Sequence, residues 1–287
     1  MTFNLNKKPN RVIIFGSNGF VAKSVKKELL KQKIKFKSIG KNKVNLVNKK
    51  SINKVKKIIK SKDVVLFISA KAPVKDEKMF LENILMMKNF LSATKGKKLS
   101  YFIYVSSDAV YSDSKKLISE KSETYPQSLH GIMHLTRELM FKTFINGPTC
   151  IVRPTLIYGK DDPHNGYGPN RFVRLAKKNI KIQLFGKGEE LRDHVSILDV
   201  SKIIVNAILF KTLGTLNICT GKVFSFNKIA KMIVDATNSK SKITFSKRSG
   251  PMPHDGYRAF DSSLINRVYP NFKFTFLNKK NIKKIFN

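Results

Sequence analysis

Two histidines, His130 and His134, are spaced four residues apart in the middle of the chain. On a helix, residues with this spacing share one face, so the two imidazoles would lie close together. An imidazole titrates near neutral pH and is therefore a competent general acid or base. The pair is a candidate for proton transfer, and the elements that would position it and its reactants must be found elsewhere in the sequence.

A glycine-containing turn follows the first apolar run of the chain, which ends at Phe15. Gly16 can adopt a positive φ, and Gly19 lets the backbone approach a pyrophosphate. The amphipathic pattern after the turn predicts a helix, whose N-terminal amides would face that anion. We therefore predict a strand, a turn and a helix that bind a dinucleotide cofactor. The residues expected to bind it are Gly16, Ser17, Asn18, Gly19, Phe20 and Val21.

The end of the second predicted strand bears on the choice of cofactor. An NAD-preferring domain usually has Asp or Glu there to hold the ribose 2′-hydroxyl, but this chain has Gly40, Lys41 and Asn42. Lys41 could bind a 2′-phosphate, so the sequence favours NADP, with NAD possible. The alternative is that Lys41 is one more surface lysine. Ser69 and Ala70 end the next apolar run and should also border the cofactor.

The alternation of apolar strands with helices predicts an α/β fold, a doubly wound parallel sheet of the Rossmann type. Apolar runs such as 64–70 are suited to strands covered on both faces. They are also far shorter than the roughly 20 residues of a membrane-spanning helix. We therefore expect a cytoplasmic protein without membrane association. Cys150 and Cys219 lie far apart without metal-ligand spacing, so no metal site is predicted.

The formal net charge of +37 raises the question of nucleic-acid binding. Only nine of the 56 basic residues are arginines, and the lysines are spread along the whole chain. Specific base readout favours the planar fork of arginine. We therefore predict no specific nucleic-acid partner and interpret the charge as a bias of composition that also steers anionic substrates.

Five segments, in order and at the expected approximate spacing, resemble the extended short-chain dehydrogenases, the NAD-dependent epimerase/dehydratase family. The segments are 105–111, 153–159, 168–172, 184–195 and 199–200. The resemblance covers nearly the whole chain. It implies an NAD(P)-dependent oxidoreductase or epimerase that acts on a nucleotide-linked sugar by hydride transfer. Such enzymes serve surface-polysaccharide or activated-sugar biosynthesis.

The resemblance assigns roles to the residues after the fourth predicted strand. Ser107 occupies the place of the hydroxyl that hydrogen-bonds the reacting sugar oxygen, with Ser106 as its substitute. Asp108 resembles the acid of keto-sugar reductases and dehydratases, although it could instead cap a turn. Dehydratases generally have Glu next, whereas this chain has Ala109. A keto-sugar reductase or epimerase is therefore expected rather than a 4,6-dehydratase.

The family's Tyr-x-x-x-Lys pair falls on the two histidines. His130 stands for the tyrosine and His134 for the lysine, which binds the nicotinamide ribose. A histidine is shorter than a tyrosine by about 2 Å, and misplacement of about 1 Å can cost roughly a hundredfold in rate. Three alternatives follow: His130 is the acid/base, another group or the substrate moves the proton, or the protein binds a dinucleotide with little or no turnover.

The resemblance also divides the chain. A dinucleotide-binding domain would cover 1–158 with return segments at about 195–220, and a smaller C-terminal substrate lobe would cover 159–194 and 221–287. In the lobe, Asn170 would face the diphosphate of the nucleotide sugar and Arg192 would neutralise it. Arg258 would contact the same phosphates, or be anchored to surface carboxylates. Asn45 and Leu46 occupy the place beside the adenine. A homodimer formed through two helices is possible.

Overall fold

The computed structural model describes residues 8–286 of the chain. Within this range it has twelve strands and nine α-helices, numbered here in chain order. The elements up to the fifth strand are β1 (Val12–Phe15), α1 (Phe20–Lys31), β2 (Phe36–Ile39), α2 (Ser51–Ile58), β3 (Val64–Phe67), α3 (Glu77–Thr94), β4 (Tyr101–Val105), α4 (Leu129–Phe144) and β5 (Thr149–Pro154). The remaining elements are β6 (Leu156–Tyr158), α5 (Pro169–Lys177), β7 (Ile182–Phe185), β8 (Leu191–Ser196), α6 (Ile197–Phe210), β9 (Gly214–Ile218), β10 (Val223–Ser225), α7 (Phe226–Thr237), β11 (Ile243–Ser246), β12 (Tyr257–Arg258), α8 (Ser263–Val268) and α9 (Lys279–Phe286).

The described residues group into two compact units by their internal contacts. The first unit comprises the residues up to Ser112, with Ser122–Pro154 and Ser201–Leu216. The second comprises Asp113–Lys121, Thr155–Val200 and the residues from Asn217 onward. The short segment Asp113–Lys121 is therefore part of the second unit, although the next residues of that unit begin more than thirty positions later, at Thr155.

A six-stranded sheet forms the centre of the first unit, in the order β2-β1-β3-β4-β5-β9. The pairs β1–β2, β1–β3, β3–β4 and β4–β5 are all parallel. The chain moves from β1 outward to β2 and then returns to the other side of β1 for β3, which creates a switch point between β1 and β3. The predicted doubly wound parallel sheet is confirmed.

Burial explains why these runs form central strands. All four residues of β1 and all four of β3 are buried, which requires helices on both faces of the sheet. On one face, Phe15, Phe67 and Phe90 of α3 form an aromatic cluster, with ring centroids 4.6 Å apart for Phe67 and Phe90. Each edge-to-face or tilted aromatic pair of this kind stabilises the fold by about 0.5–1.5 kcal/mol beyond the contribution of the apolar area that it buries.

The second unit has two smaller sheets. In one, β8 pairs with β6, β10 and β12, and in the other β7 pairs with β11. Its apolar core includes Phe172 of α5, Phe226 of α7 and Ile282 of α9. Across residues 8–286, no helix is long and apolar enough to cross a membrane.

Candidate functional site

A cleft of about 220 Å³ opens at the carboxyl ends of β1, β2 and β3 in the first unit. This is the switch point of the sheet, where open α/β sheets bind their ligands. Most of the predicted cofactor-binding residues line it, and Phe20 and Val21 begin α1 directly after the lining loop. The predicted residues that line the cleft are Gly16, Ser17, Asn18, Gly19, Lys41, Asn45, Leu46, Ser69 and Ala70.

The glycine turn has the geometry that a bound diphosphate requires. Gly16 has φ +97°, and a Cβ atom there would lie 2.7 Å from the backbone nitrogen of Ser69, so only glycine fits. Gly19 caps α1 without any side-chain acceptor for the first amides of the helix. Since the first amides of a helix have no acceptor within it, they are available to an anion. The turn therefore fits the diphosphate of a dinucleotide.

The edge of the cleft at the end of β2 lacks a carboxylate. Gly40 and Lys41 line it, and none of the other lining residues is acidic. A Cβ atom on Gly40 would lie 2.9 Å from the Ser17 hydroxyl oxygen, so this turn approaches the glycine loop closely. A second lysine of the lining, Lys71, pairs with Glu82 of α3. The lining residues thus include two lysines and no acidic residue.

Two side chains that the sequence analysis did not select hold the loop after β3 against the cleft. Arg137, fully buried on α4, donates to the Ser69 carbonyl at 2.6 Å and to the Asn83 side-chain oxygen at 3.3 Å. Asn83 of α3 also accepts from the Lys71 amide at 3.0 Å. Burial lowers the pKa of Arg137. Helical periodicity alone could not reveal the contacts of Arg137 and Asn83 with this loop, because it shows only that both residues lie on the core-facing sides of their helices.

Ser107 follows β4 and begins a short 3-10 turn over Asp108–Val110. Its hydroxyl oxygen accepts from the Ala109 amide at 3.2 Å and its hydroxyl lies 3.3 Å from Asp108 Oδ1. The cap of this turn is thus the serine hydroxyl, whereas Asp108 lies buried inside the turn. Ser107 is half-buried, and a hydroxyl has acceptor capacity beyond these contacts.

The start of α4 packs tightly against the turn that carries Ser107. Gly131 is the contact point, because a Cβ atom there would lie 2.1 Å from the Ala109 carbonyl oxygen. Ser128 caps α4 by accepting from the Gly131 amide at 3.1 Å. Glycine at this position therefore brings the first turn of α4, which includes His130, next to the Ser107 turn.

The two histidines contact each other as their spacing predicted. The ring centroids of His130 and His134 are 4.7 Å apart and the rings are nearly perpendicular. His130 is half-buried, whereas His134 is only 5% exposed. His134 Nδ1 lies 2.8 Å from the phenol of Tyr104 on β4, a residue that the sequence analysis missed. No spacing rule links Tyr104 to His134, since they lie on different elements.

Burial decides the charge of His134, the more deeply buried of the two histidines. It lowers the pKa of His134 well below the usual value, and the nearby charges of His130 and Arg137 lower it further. Burial likewise raises the pKa of Tyr104, which stays a phenol. His134 is therefore neutral at pH 7 and does not supply the positive charge of the lysine that it is predicted to replace.

The substrate-binding arginines predicted from the sequence lie side by side in the second unit. β12 pairs with β8 so that Arg258 is directly opposite Arg192, and both are buried. Arg192 donates to Glu190 at 2.7 Å, and Arg258 donates to Asp113 at 3.0 Å. Both guanidinium groups are therefore paired with carboxylates, and for Arg258 this is the anchoring to a surface carboxylate that was the alternative to a phosphate contact. Their predicted contact with a diphosphate stays a prediction.

Asn170 has a local role that the sequence did not indicate. Its side-chain oxygen accepts from the Gly159 amide at 2.9 Å, and its side-chain nitrogen donates to Asp162 at 2.9 Å. The residue thus fastens the loop between β6 and α5. Its predicted contact with a substrate stays a prediction. Residues 8–286 contain no cluster of three or more His, Cys, Asp or Glu side chains that could hold a metal ion.

A parallel sheet with a glycine turn at its switch point defines a dinucleotide-binding α/β protein. The chain belongs to the NAD dependent epimerase/dehydratase family, whose model matches residues 12–219. The resemblance inferred from the five segments is thereby confirmed.

Individual relatives agree with this assignment. The chain is 25% identical over 279 aligned positions to an uncharacterised UDP-glucose epimerase, YtcB, of Bacillus subtilis (strain 168), with 85% of this chain and 87% of the relative covered. The fold matches the UDP-glucose 4-epimerase of Thermus thermophilus in complex with NAD, at TM-score 0.81 and 17% identity over 96% of this chain and 97% of that one. It also matches a GDP-L-fucose synthetase of Naegleria fowleri bound to NADP, at TM-score 0.82 and 16% identity over 99% and 93% of the two chains.

Proposed function

We propose that this protein is an NAD(P)-dependent oxidoreductase or epimerase, of the keto-sugar reductase or epimerase type, that acts on a nucleotide-linked sugar by hydride transfer at a keto or hydroxyl carbon. The observation that carries the proposal is the tight contact at Gly131, which holds His130 beside the Ser107 turn in the unit that also contains the glycine-lined cleft. A hydroxyl and an imidazole on adjoining elements can together bind the reacting sugar oxygen and deliver a proton to it on reduction or take one from it on oxidation.

Each residue has a defined part in this proposal. When bound, the nicotinamide accepts or supplies a hydride. Ser107 donates a hydrogen bond to the reacting sugar oxygen, and His130 exchanges a proton with it. In this structure the one proton of the Ser107 hydroxyl is donated to Asp108 at 3.3 Å. It must therefore turn from Asp108 to the sugar oxygen when the substrate binds. His134, neutral and buried, binds rather than titrates.

The substrate class rests on the paired arginines and on the relatives. Arg192 and Arg258 would neutralise the diphosphate of the nucleotide, a task that suits buried guanidinium groups. Asn170 is proposed to face the same group. The Bacillus relative is described as a UDP-glucose epimerase, and a uridine nucleotide is therefore the first to test.

A second candidate function is dinucleotide binding with little turnover. The neutral state of His134 favours it, because no ammonium is present to assist proton transfer at this position. The two candidates differ in one assay. Purified protein is incubated with UDP-, GDP- and dTDP-linked sugars, keto sugars together with NADPH or NADH and hydroxy sugars together with NADP⁺ or NAD⁺, and products are followed by mass spectrometry. Conversion of a sugar supports the enzyme, and cofactor binding without conversion of any sugar supports the alternative.

Lys41 is expected to favour NADP over NAD. Its ammonium lines the cleft at the end of β2, where the lining has no carboxylate to hold a 2′-hydroxyl. Lys41→Ala should weaken NADPH binding by about 5- to 10-fold and leave NADH binding unchanged, since a hydrogen bond to a charged group contributes about 1.5–3 kcal/mol before solvent screening. Isothermal titration measures both affinities.

The control for this prediction is Lys43→Ala. Lys43 is exposed two residues further on and does not line the cleft, so it carries the same charge without the proposed contact. Equal losses of NADPH affinity in both variants would show that Lys41 acts only through the overall positive charge of the protein and makes no specific contact with the 2′-phosphate. Equal losses of NADPH and NADH affinity in Lys41→Ala alone would exclude a 2′-phosphate contact.

Exposed apolar side chains on α3 and α4 support a homodimer that forms through these two helices. These side chains are Leu81, Leu85, Ile132 and Leu139. The molar mass measured by light scattering tests the dimer.

Two further proposals concern the cell. A cytoplasmic location and a role in polysaccharide biosynthesis are proposed from the family alone. Cell fractionation and the glycan profile of a deletion strain test these two proposals.

A further inference from the structure

We propose that Arg137 is the buried positive charge of the dinucleotide site, which holds the loop after β3 in place and attracts the diphosphate of the cofactor. Arg137 is a positioning residue in this scheme, because it acts through the loop and is not itself part of the cleft lining. The inference rests on the proposed function, since it requires that the cofactor is NAD or NADP.

Arg137 is one hydrogen bond away from the residue that packs against the glycine turn. Its Nη2 atom donates to the Ser69 carbonyl oxygen at 2.6 Å. The Ser69 backbone nitrogen would lie 2.7 Å from a Cβ atom on Gly16, and both Ser69 and Gly16 line the cleft. The guanidinium is therefore close to the turn that is proposed to bind the diphosphate.

Asn83 completes the contacts that hold the loop. Its side-chain oxygen accepts from Arg137 Nη1 at 3.3 Å and from the Lys71 amide at 3.0 Å. Its side-chain nitrogen donates to the Lys71 carbonyl at 2.9 Å. Arg137 and Asn83 together thus bond the Ser69 carbonyl and both backbone polar groups of Lys71.

These contacts set the direction of the Ala70 amide, which belongs to the same peptide group as the Ser69 carbonyl. This peptide is trans, so its N–H points away from the carbonyl oxygen and hence away from Arg137. Ala70 is exposed and lines the cleft, and its amide has no hydrogen-bond acceptor in the part of the chain that the structure describes. It can therefore donate to a ligand in the cleft.

The charge of Arg137 has no acidic partner. Arg137 is fully buried, and none of the ion pairs formed within residues 8–286 includes it. The adjacent Glu138 is paired with Arg153 instead. Arg137 Nε is also buried without an acceptor. A buried charge without a partner is costly, so a bound anion would supply the counter-charge that the protein lacks here.

The groups that do surround the guanidinium compensate its charge only in part. It lies 5.0 Å from the ring centroid of Phe67 and 5.2 Å from that of Tyr104, and aromatic faces attract cations less strongly than a carboxylate does. Burial lowers the pKa of Arg137, but an arginine stays protonated in a protein even so. The positive charge is therefore permanent.

No other residue of α4 supplies such a charge. His134, one turn before Arg137 on the same helix, has its pKa lowered by burial, by His130 and by Arg137 itself, and is neutral. Lys142 is exposed in the last turn of α4. Arg137 is thus the buried permanent cation of the helix that carries the histidine pair.

The experiment is isothermal titration of the full chain with NADH and with NADPH. Arg137→Gln should weaken both by about 10-fold, on the order of what one unit charge contributes several ångströms from an anion at the effective dielectric constant of a protein. Equal losses are expected because both cofactors carry the diphosphate, in contrast to Lys41→Ala. The loss should persist at high salt, since buried charges are screened little.

Two variants of Asn83 separate the charge from the geometry of the loop. Asn83→Asp places a carboxylate beside Arg137 and neutralises it, whereas Asn83→Leu leaves the charge uncompensated. Both remove the nitrogen that donates to the Lys71 carbonyl, so they are matched in that loss. Asn83→Asp should bind NADH at least about 5-fold more weakly than Asn83→Leu, because only the first cancels a unit charge.

The outcomes distinguish this inference from the proposed function. Wild-type affinity in folded Arg137→Gln, or equal affinities in the two Asn83 variants, would overturn the inference while the proposed function stands. If Arg137→Gln does not fold, the comparison of Asn83→Asp with Asn83→Leu decides. Wild-type protein that binds neither NADH nor NADPH would overturn the proposed function and the inference together.

Discussion

His130→Phe is expected to lower the turnover of the accepted nucleotide sugar by at least about 100-fold, the smaller end of the range for general acid–base catalysis. The phenyl ring occupies similar space at the first turn of α4 but carries no proton. Affinity for the dinucleotide should be unchanged, because His130 is not part of the cleft lining. Initial rates and isothermal titration on the same preparations measure the two quantities.

The control for this substitution is Leu129→Phe. Leu129 is the adjacent residue, 45% exposed, and the variant places the same ring at the start of the same helix without removing an imidazole. It should keep the wild-type rate. Wild-type turnover in His130→Phe would show that another group, or the substrate itself, moves the proton.

Glu138→Gln is expected to destabilise the folded protein by about 3–5 kcal/mol, the usual cost of removing one partner of a buried ion pair. Arg153 is 3% exposed and Glu138 is fully buried, so the guanidinium would lose its counter-charge without access to water. The amide also replaces one of the two acceptor oxygens by an NH2 donor, which would face a donor of Arg153. Equilibrium unfolding in urea measures the difference, provided that the transition is reversible and two-state.

Glu123→Gln is the corresponding control on the surface. Glu123 accepts from the exposed Ser112 hydroxyl at 3.2 Å, and its replacement should change the free energy of unfolding by less than about 0.5 kcal/mol. If the two glutamates gave equal effects, the buried pair with Arg153 would not be a main determinant of stability in the first unit.

Local patterns were sufficient to predict the central sheet and its glycine turn. Strand β1 followed by Gly16 and the amphipathic α1 is specified by residues that are neighbours in the chain. The same holds for the contact between His130 and His134, since the helical repeat alone brings their rings together. Family segments added the expected roles of Ser107 and Arg192, which no periodicity could supply.

The partners of these residues depend on tertiary structure. Tyr104 reaches His134, and Arg137 reaches Ser69, across gaps of 30 and 68 residues in the chain. Both side chains looked like ordinary core or helix positions in the sequence. Likewise, the register that places Arg258 beside Arg192 depends on a two-residue strand too short to be predicted.

The sequence by itself determined the fold class, the family and the position of the glycine turn, and it predicted that His130 and His134 stand for the family's Tyr-x-x-x-Lys pair. Only the tertiary structure decided that His134 is neutral and which groups bond it. The physical reason is that secondary structure and backbone conformation follow from nearby residues, whereas the pKa and hydrogen-bond direction of a side chain depend on burial and on groups brought from distant parts of the chain.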